Sequence, residues 1–306
     1  MDAGPIPLAV RRRSQWRRSL RRLRRNPMGM VGVVLVGIVV LTAMTCWFVA
    51  PYQPNDQSAM LGFGASKPPA WTHWLGTDRL GYDVLTRVLY GAPTALAVGL
   101  GAMTIAGAFG ILVGGLAGYI GGRTDEALMR FTEFFMVVPV FLVILAVVRL
   151  FGILVVGTWM ERIPHLNLLT IIVLLGIFGW PGIARLTRAE FLRLRHAEFV
   201  EAARCIGATT PDIIVRHILP NALPSIIVAI ALGIGGAVLA EAMISFLGFG
   251  DPDAVSWGQL IFFNYETLKI APWSSLAPGA AIFITVLGFN LLADGLSDAF
   301  NPRRRE

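Results

Sequence analysis

Acid–base, metal or nucleophilic chemistry would have to come from four histidines, two cysteines and nineteen carboxylates, and their spacing supports none of it. His73, His165, His196 and His217 are scattered without metal-ligand spacing, so packing or interfacial roles are expected of each. Cys46 falls in an apolar stretch and Cys205 in a distant polar loop, which implies no disulfide framework. Lys67 and Lys269 are the only lysines, and neither follows a glycine as a phosphate-binding Gly-x-x-x-x-Gly-Lys-[Ser/Thr] loop requires. A Gly-x-Ser-x-Gly elbow and a His-Glu-x-x-His helix are also absent from the sequence. The chain is therefore expected to be no enzyme, to bind no metal or cofactor, and to depend on a partner for any coupling to ATP. One group stands apart. Glu241 lies deep in Leu239-Ala240-Glu241-Ala242-Met243-Ile244-Ser245, with Ser245 one turn beyond it. A carboxylate in an apolar run is costly, and it serves either to position a helix by hydrogen bonding or to gate and contact a solute.

The elements that must carry these residues are set by composition. Hydrophobic residues make up 55% of the chain and charged residues 15%, with a mean hydropathy of +0.66. Soluble domains run near 25% charged, so a soluble enzyme, a disordered chain and a disulfide scaffold are excluded. The expectation is an all-α polytopic membrane protein. A bilayer core takes about 20 apolar residues per helix. Six segments qualify: 28–50, 94–120, 131–148, 166–184, 223–247 and 276–293. The first is too long for a signal-peptide core and is expected to be retained.

Basic residues orient the chain. The tail to residue 27, the turn after the second span, the loop after the fourth and the C-terminus hold twenty of the 26 Lys and Arg residues. That asymmetry places both termini in the cytoplasm. The expected organisation is an Arg-rich tail over 1–27, a first span over 28–50 and an extracytoplasmic segment over 51–93. A core of five spans over 94–298 and a short tail over 299–306 follow. The Arg tail suits nucleic-acid phosphates in principle, but beside a span it reads as an anchor to anionic lipid. Gly110, Gly114, Gly118 and Gly122 recur every four residues and predict a close helix–helix seam. Pro139 and Pro181 are expected to bend their helices. In the outer segment, Asp83 is placed to cap a short helix from Val84 to Tyr90; Asp78 and Asp83 read as capping groups or, with Thr77, as contacts with a partner.

The loop over 185–221 is the most informative stretch. Local rules predict two short helices, the first ended by Gly207 in a left-handed turn, the second capped by Thr210 with Pro211 at its first position. Ala202 and Ala203 leave a smooth surface on which another protein could sit.

Glu201-Ala202-Ala203, Gly207 four positions on, and Ile218-Leu219-Pro220 resemble the EAA loop of bacterial ABC importer permeases. The resemblance implies a type I importer-like permease of six spans. It also implies that Glu201, Ala202, Ala203, Gly207, Pro211, Ile218, Leu219 and Pro220 belong to the loop that docks on an ATPase subunit. His73-Trp74-Leu75-Gly76-Thr77-Asp78-Arg79-Leu80-Gly81-Tyr82-Asp83 is similar to the outer segment of the C-type permease of dipeptide, oligopeptide and nickel importers. Ser245-Phe246-Leu247-Gly248-Phe249-Gly250, then Ser256-Trp257-Gly258, and Asp294-Gly295-Leu296-Ser297-Asp298 are similar to the same subunit. Tyr82, Pro93, Ser297 and Asn301 depart from the family pattern, all outside the loop.

The implied partners are a second homologous permease in a heterodimer, one or two ATPase subunits that hold ATP and Mg, an extracytoplasmic solute-binding protein, and lipid. The implied solute is a short peptide, with nickel as an alternative. The rival from another class is an autonomous carrier or channel centred on Glu241, for which the sequence offers no internal repeat. A membrane enzyme lacks any nucleophile–base or metal constellation.

Overall fold

The computed structural model describes residues 20–57 and 62–300. Most of the Arg-rich tail, and the tail from residue 301 onward, lie outside these. Among the described residues the chain is helical, without strands.

Helix α1 (Pro27–Val49) opens with Asn26, whose side chain accepts from the Gly29 amide, and with Pro27 where the missing N–H costs nothing. Its 23 residues span about 34 Å, which matches a bilayer core. Helix α2 (Val84–Ile120) is 37 residues, so the sequence-based start at residue 94 is corrected. Asp83 does cap at Val84, but the helix it starts does not stop at Tyr90: it carries Pro93 in its interior. A proline there withdraws a hydrogen bond and crowds the preceding turn. In that turn the Trp257 indole donates to the Val88 carbonyl at 2.8 Å, across the flat surface that Gly91 leaves.

The third predicted span carries the bend expected of Pro139. Hydropathy alone runs it across Pro139, but the chain breaks there into α3 (Gly122–Val137) and α4 (Val140–Leu154), bent by 73°. Pro181, by contrast, sits inside an unbroken α5 (Leu166–Leu194). Among the described residues five helices are therefore long and apolar enough to cross a membrane, or six spans if α3 and α4 count as one broken span. Helix α6 (Glu198–Cys205) is the first loop helix. The second is not separate: from Thr210 the chain continues through a π-helical turn at Ile213–Ile218 into one long helix, α7 (Thr210–Phe249). Its cap is Thr209 rather than Thr210, with Pro211 one place further in than expected. A short α8 (Trp257–Asn264) and α9 (Trp273–Phe300) complete the chain.

Close backbone approach organises the bundle, since apolar burial gives little drive in lipid. A Cβ at Gly114 would strike the Ala184 carbonyl of α5, and at Gly110 and Gly118 it would lie 2.7 Å from Ile183 and Phe191. Gly122 drops out of the expected stripe; it faces open space and starts α3. The main core lies between α2, α5 and α7 and includes Ile183, Phe191, Ile226 and Val238.

Candidate coupling surface and buried polar groups

α6 follows α5 directly, with Glu198 and Glu201 in its first turn and Arg204 in its last, an order the helix dipole favours. Its stop has two bonds: the Ala208 amide reaches the Ala203 carbonyl at 3.0 Å and the Gly207 amide reaches Arg204 at 3.0 Å, with Gly207 at φ +83°. This is the glycine-ended helix the sequence predicts. The expected residues divide in two. Glu201, Ala202, Gly207 and Pro211 face outward, whereas Ala203 and Ile218 are buried and Leu219 and Pro220 half-buried. The first set forms a surface and the second braces it, together with Val200 and Ile213. Sequence reading missed Ile206, 85% exposed beside the glycine, and the exposed Phe199 and Val215. The signal was available: an apolar residue at a helix stop in a charged loop has nothing of its own to cover it.

The base of the loop is tied down. Glu190 on α5 accepts from Ser225 on α7 at 2.7 Å. Arg188 on α5 makes a two-pronged contact with Asp125 on α3, Nε to Oδ1 and Nη2 to Oδ2, the latter at 2.7 Å. Arg195 donates to the Gly118 carbonyl at 3.3 Å. Partners lie 35 to 77 residues apart along the chain, out of reach of any local rule.

Glu241 is buried and accepts a hydrogen bond from Ser245 at 2.6 Å. Helix α8 lies against this turn so closely that a Cβ on Gly258 would overlap the Ala242 carbonyl. Just beyond, Asp251 is buried and does what no residue next to α5 does. His165, at φ +54°, leaves the α5 N-terminus without a side-chain cap, and Asp251 accepts from the Leu168 amide at 3.0 Å. Its other oxygen takes the Asp253 amide at 2.9 Å.

The three outer residues prove internal. Thr77 donates to the Gly64 carbonyl at 2.8 Å, and its own carbonyl accepts from Trp273 at 3.1 Å. Asp78 accepts from the amides of Leu80 and Tyr82, both at 2.9 Å, and faces Arg87 at 3.5 Å. Burial pushes the Asp78 carboxyl above its ordinary value, against the pull of the Tyr82 amide and the Arg87 charge. Asp83 caps α2 through Thr86 at 2.8 Å and meets His73 Nδ1 at 2.9 Å, a ring held between Tyr52 and Phe63. None of the three offers a free face to a partner. A cleft of about 410 Å³, lined by Met103, Gly182, Gly233, Gly236 and Ala240, opens between α2, α5 and α7.

Residues 110–306 match the family described as binding-protein-dependent transport system inner membrane component. The chain belongs to this family. Residues 14–69 match a second description, the N-terminal TM domain of oligopeptide transport permease C. Similar proteins include the oligopeptide transport system permease protein OppC of Bacillus subtilis, 35% identical over 96% of this chain and 91% of that one. The dipeptide transport system permease protein DppC of the same organism is 37% identical over 93% and 85%. The glutathione transport system permease protein GsiD of Escherichia coli is 36% identical over 99% and 95%. The chain is thus a multi-pass inner-membrane permease component of an ABC importer, and the reading as an autonomous carrier is set aside.

Proposed function

We propose that this permease forms half of a translocation pathway for short peptides, driven by ATPase subunits that dock on α6. The observation that carries the reading is the division of α6. Val200 and Ala203 lock into the protein's own core, while Phe199, Glu201, Ala202 and Ile206 are turned out. A helix braced on one side, with Phe199 and Ala202 among the charges of Glu198, Glu201 and Arg204 on the other, can take a push and pass it inward. The chain ends support one orientation: Asn26 donates to Asp298 at 3.0 Å, so α1 begins where α9 ends, and the Arg-rich sequences on that side favour the cytoplasm. A second permease of the same family completes the pathway, ATP and Mg sit on the ATPase subunits, and a binding protein delivers the solute from outside. Oligopeptides, dipeptides and glutathione, named for the relatives, share a peptide backbone, which favours peptide over nickel.

The test is affinity purification from detergent-solubilised membranes with Glu201→Lys and Gly207→Asp variants alongside. The wild type should bring a second permease and an ATPase, and the variants should keep the permease but lose the ATPase. A wild type that emerges alone and moves peptide without ATP would refute the assignment.

A further inference from the structure

The α3 helix is loosely held. Of its sixteen residues only Thr132 is buried, and Pro139 separates it from α4 at 73°. Its ties to α5 are few. Phe131 and Phe135 lie against Trp180 with ring centroids 6.0 and 5.4 Å apart, Arg185 touches the Met136 sulfur, and at the far end Asp125 grips Arg188 with both oxygens. Aromatic contacts can slide, but a two-pronged guanidinium–carboxylate pair fixes both distance and angle. Asp125 also sits in the first turn of α3, where a negative charge suits the helix dipole, so a carboxylate is favoured there on two counts. The pair lies two turns before the end of α5, and α6 follows four residues beyond that end.

We propose that Asp125 and Arg188 are positioning residues that transmit displacement of α6 to the broken helix pair α3–α4. The inference rests on the importer reading given above. α5, from which α6 continues, is already tied to α7 through Glu190 and Ser225. The Asp125–Arg188 pair adds α3 to the moving body, and the break at Pro139 turns that motion into a change of angle at α4. Without the pair, α6 would move while α3 stayed behind, and hydrolysis would proceed with less solute carried.

The experiment uses the complete complex reconstituted in liposomes, measuring ATP hydrolysis and uptake of labelled peptide together. Asp125→Asn keeps the shape but removes the charge, and should lower peptide moved per ATP at least fivefold while basal hydrolysis and co-purification of the ATPase persist. Asp125→Glu should recover most of the ratio, which a merely structural defect would not predict. An unchanged ratio in Asp125→Asn overturns the proposal, as does a ratio that Asp125→Glu fails to recover. If Asp125→Asn does not assemble, Arg188→Lys replaces it, keeping the charge and giving up the second prong; an unchanged ratio there overturns the proposal equally. Failure of the importer reading looks different, because wild-type uptake would then not depend on ATP.

Discussion

Replacing Gly114 by alanine should separate two helices that now touch through their backbones. The added Cβ would meet the carbonyl oxygen of Ala184 and lie 2.8 Å from Thr187 Cβ and 2.9 Å from Ala184 carbon. These atoms belong to a helix backbone and a branched side chain, so no flexible tip can swing aside. Carbon and oxygen normally stop near 3.3 Å, so α2 must retreat from α5 by about 1 Å. A gap of that size forfeits a quarter to a half of each dispersion contact along the seam, including those at Gly110 and Gly118. Overpacking of this kind costs about 1–3 kcal/mol, and alanine's better helix propensity returns up to about 1 kcal/mol. A net loss of about 1–2 kcal/mol should lower the melting temperature of the detergent-solubilised protein by roughly 4 °C, at about 2–4 °C per kcal/mol for domains of 150–250 residues. The controls are Gly182→Ala and Gly236→Ala, where an added Cβ meets nothing within 4 Å. They should melt at or above the wild type. If Gly114→Ala melts with the controls, the seam is not held by backbone contact and the packing argument fails.

Two further outcomes follow at the end of the bundle away from α6. Asp251→Ala should remove the long-range cap of α5 at a cost of about 1–2 kcal/mol, seen as faster hydrogen exchange at the Leu168 amide. For Asp78, burial raises the folded carboxyl above 3.8, so the folded state holds a proton that the unfolded chain has already released. Stability should then rise as pH falls through the raised value and level off below 3.8. Asp78→Asn should lose this dependence, and a wild type that instead loses stability relative to Asp78→Asn over the same range would show that the Arg87 attraction outweighs burial.

What the sequence revealed was what depends on neighbours. The stop at Gly207 and the cap at Asp83 each need only a few adjacent residues with the right backbone preference, and both are where local rules put them. The cap at Thr209 was misplaced by one residue because Thr209 and Thr210 are chemically alike and Pro211 tolerates either of the first two helical positions. The bend of the third span at Pro139 was legible because proline acts locally, but its sharpness was not: averaging hydropathy over 131–148 blends the amphipathic end of α3 with the apolar start of α4. Asp251 and Leu168, like Asp125 and Arg188, were out of reach because they lie 83 and 63 residues apart and no pattern in either segment points to the other.

The attachment of α1 illustrates how much of a membrane fold escapes periodicity. Its sequence is apolar on every side, so no face is marked as the one that packs. What chooses the face is size. A Cβ on Gly32 would overlap the backbone of Leu291 and Leu292, one on Gly29 would lie 2.9 Å from the Gly295 backbone, and one on Gly288 would lie 2.9 Å from Leu35. Glycines on both helices therefore meet along one seam, closed at the end by Asn26 and Asp298. The two family matches, 14–69 and 110–306, fall on either side of the outer half of α2. The seam with α9 is thus the main join between a separately recognisable first helix and the permease core, and it works through the shape of the two backbones rather than through a hydrophobic stripe.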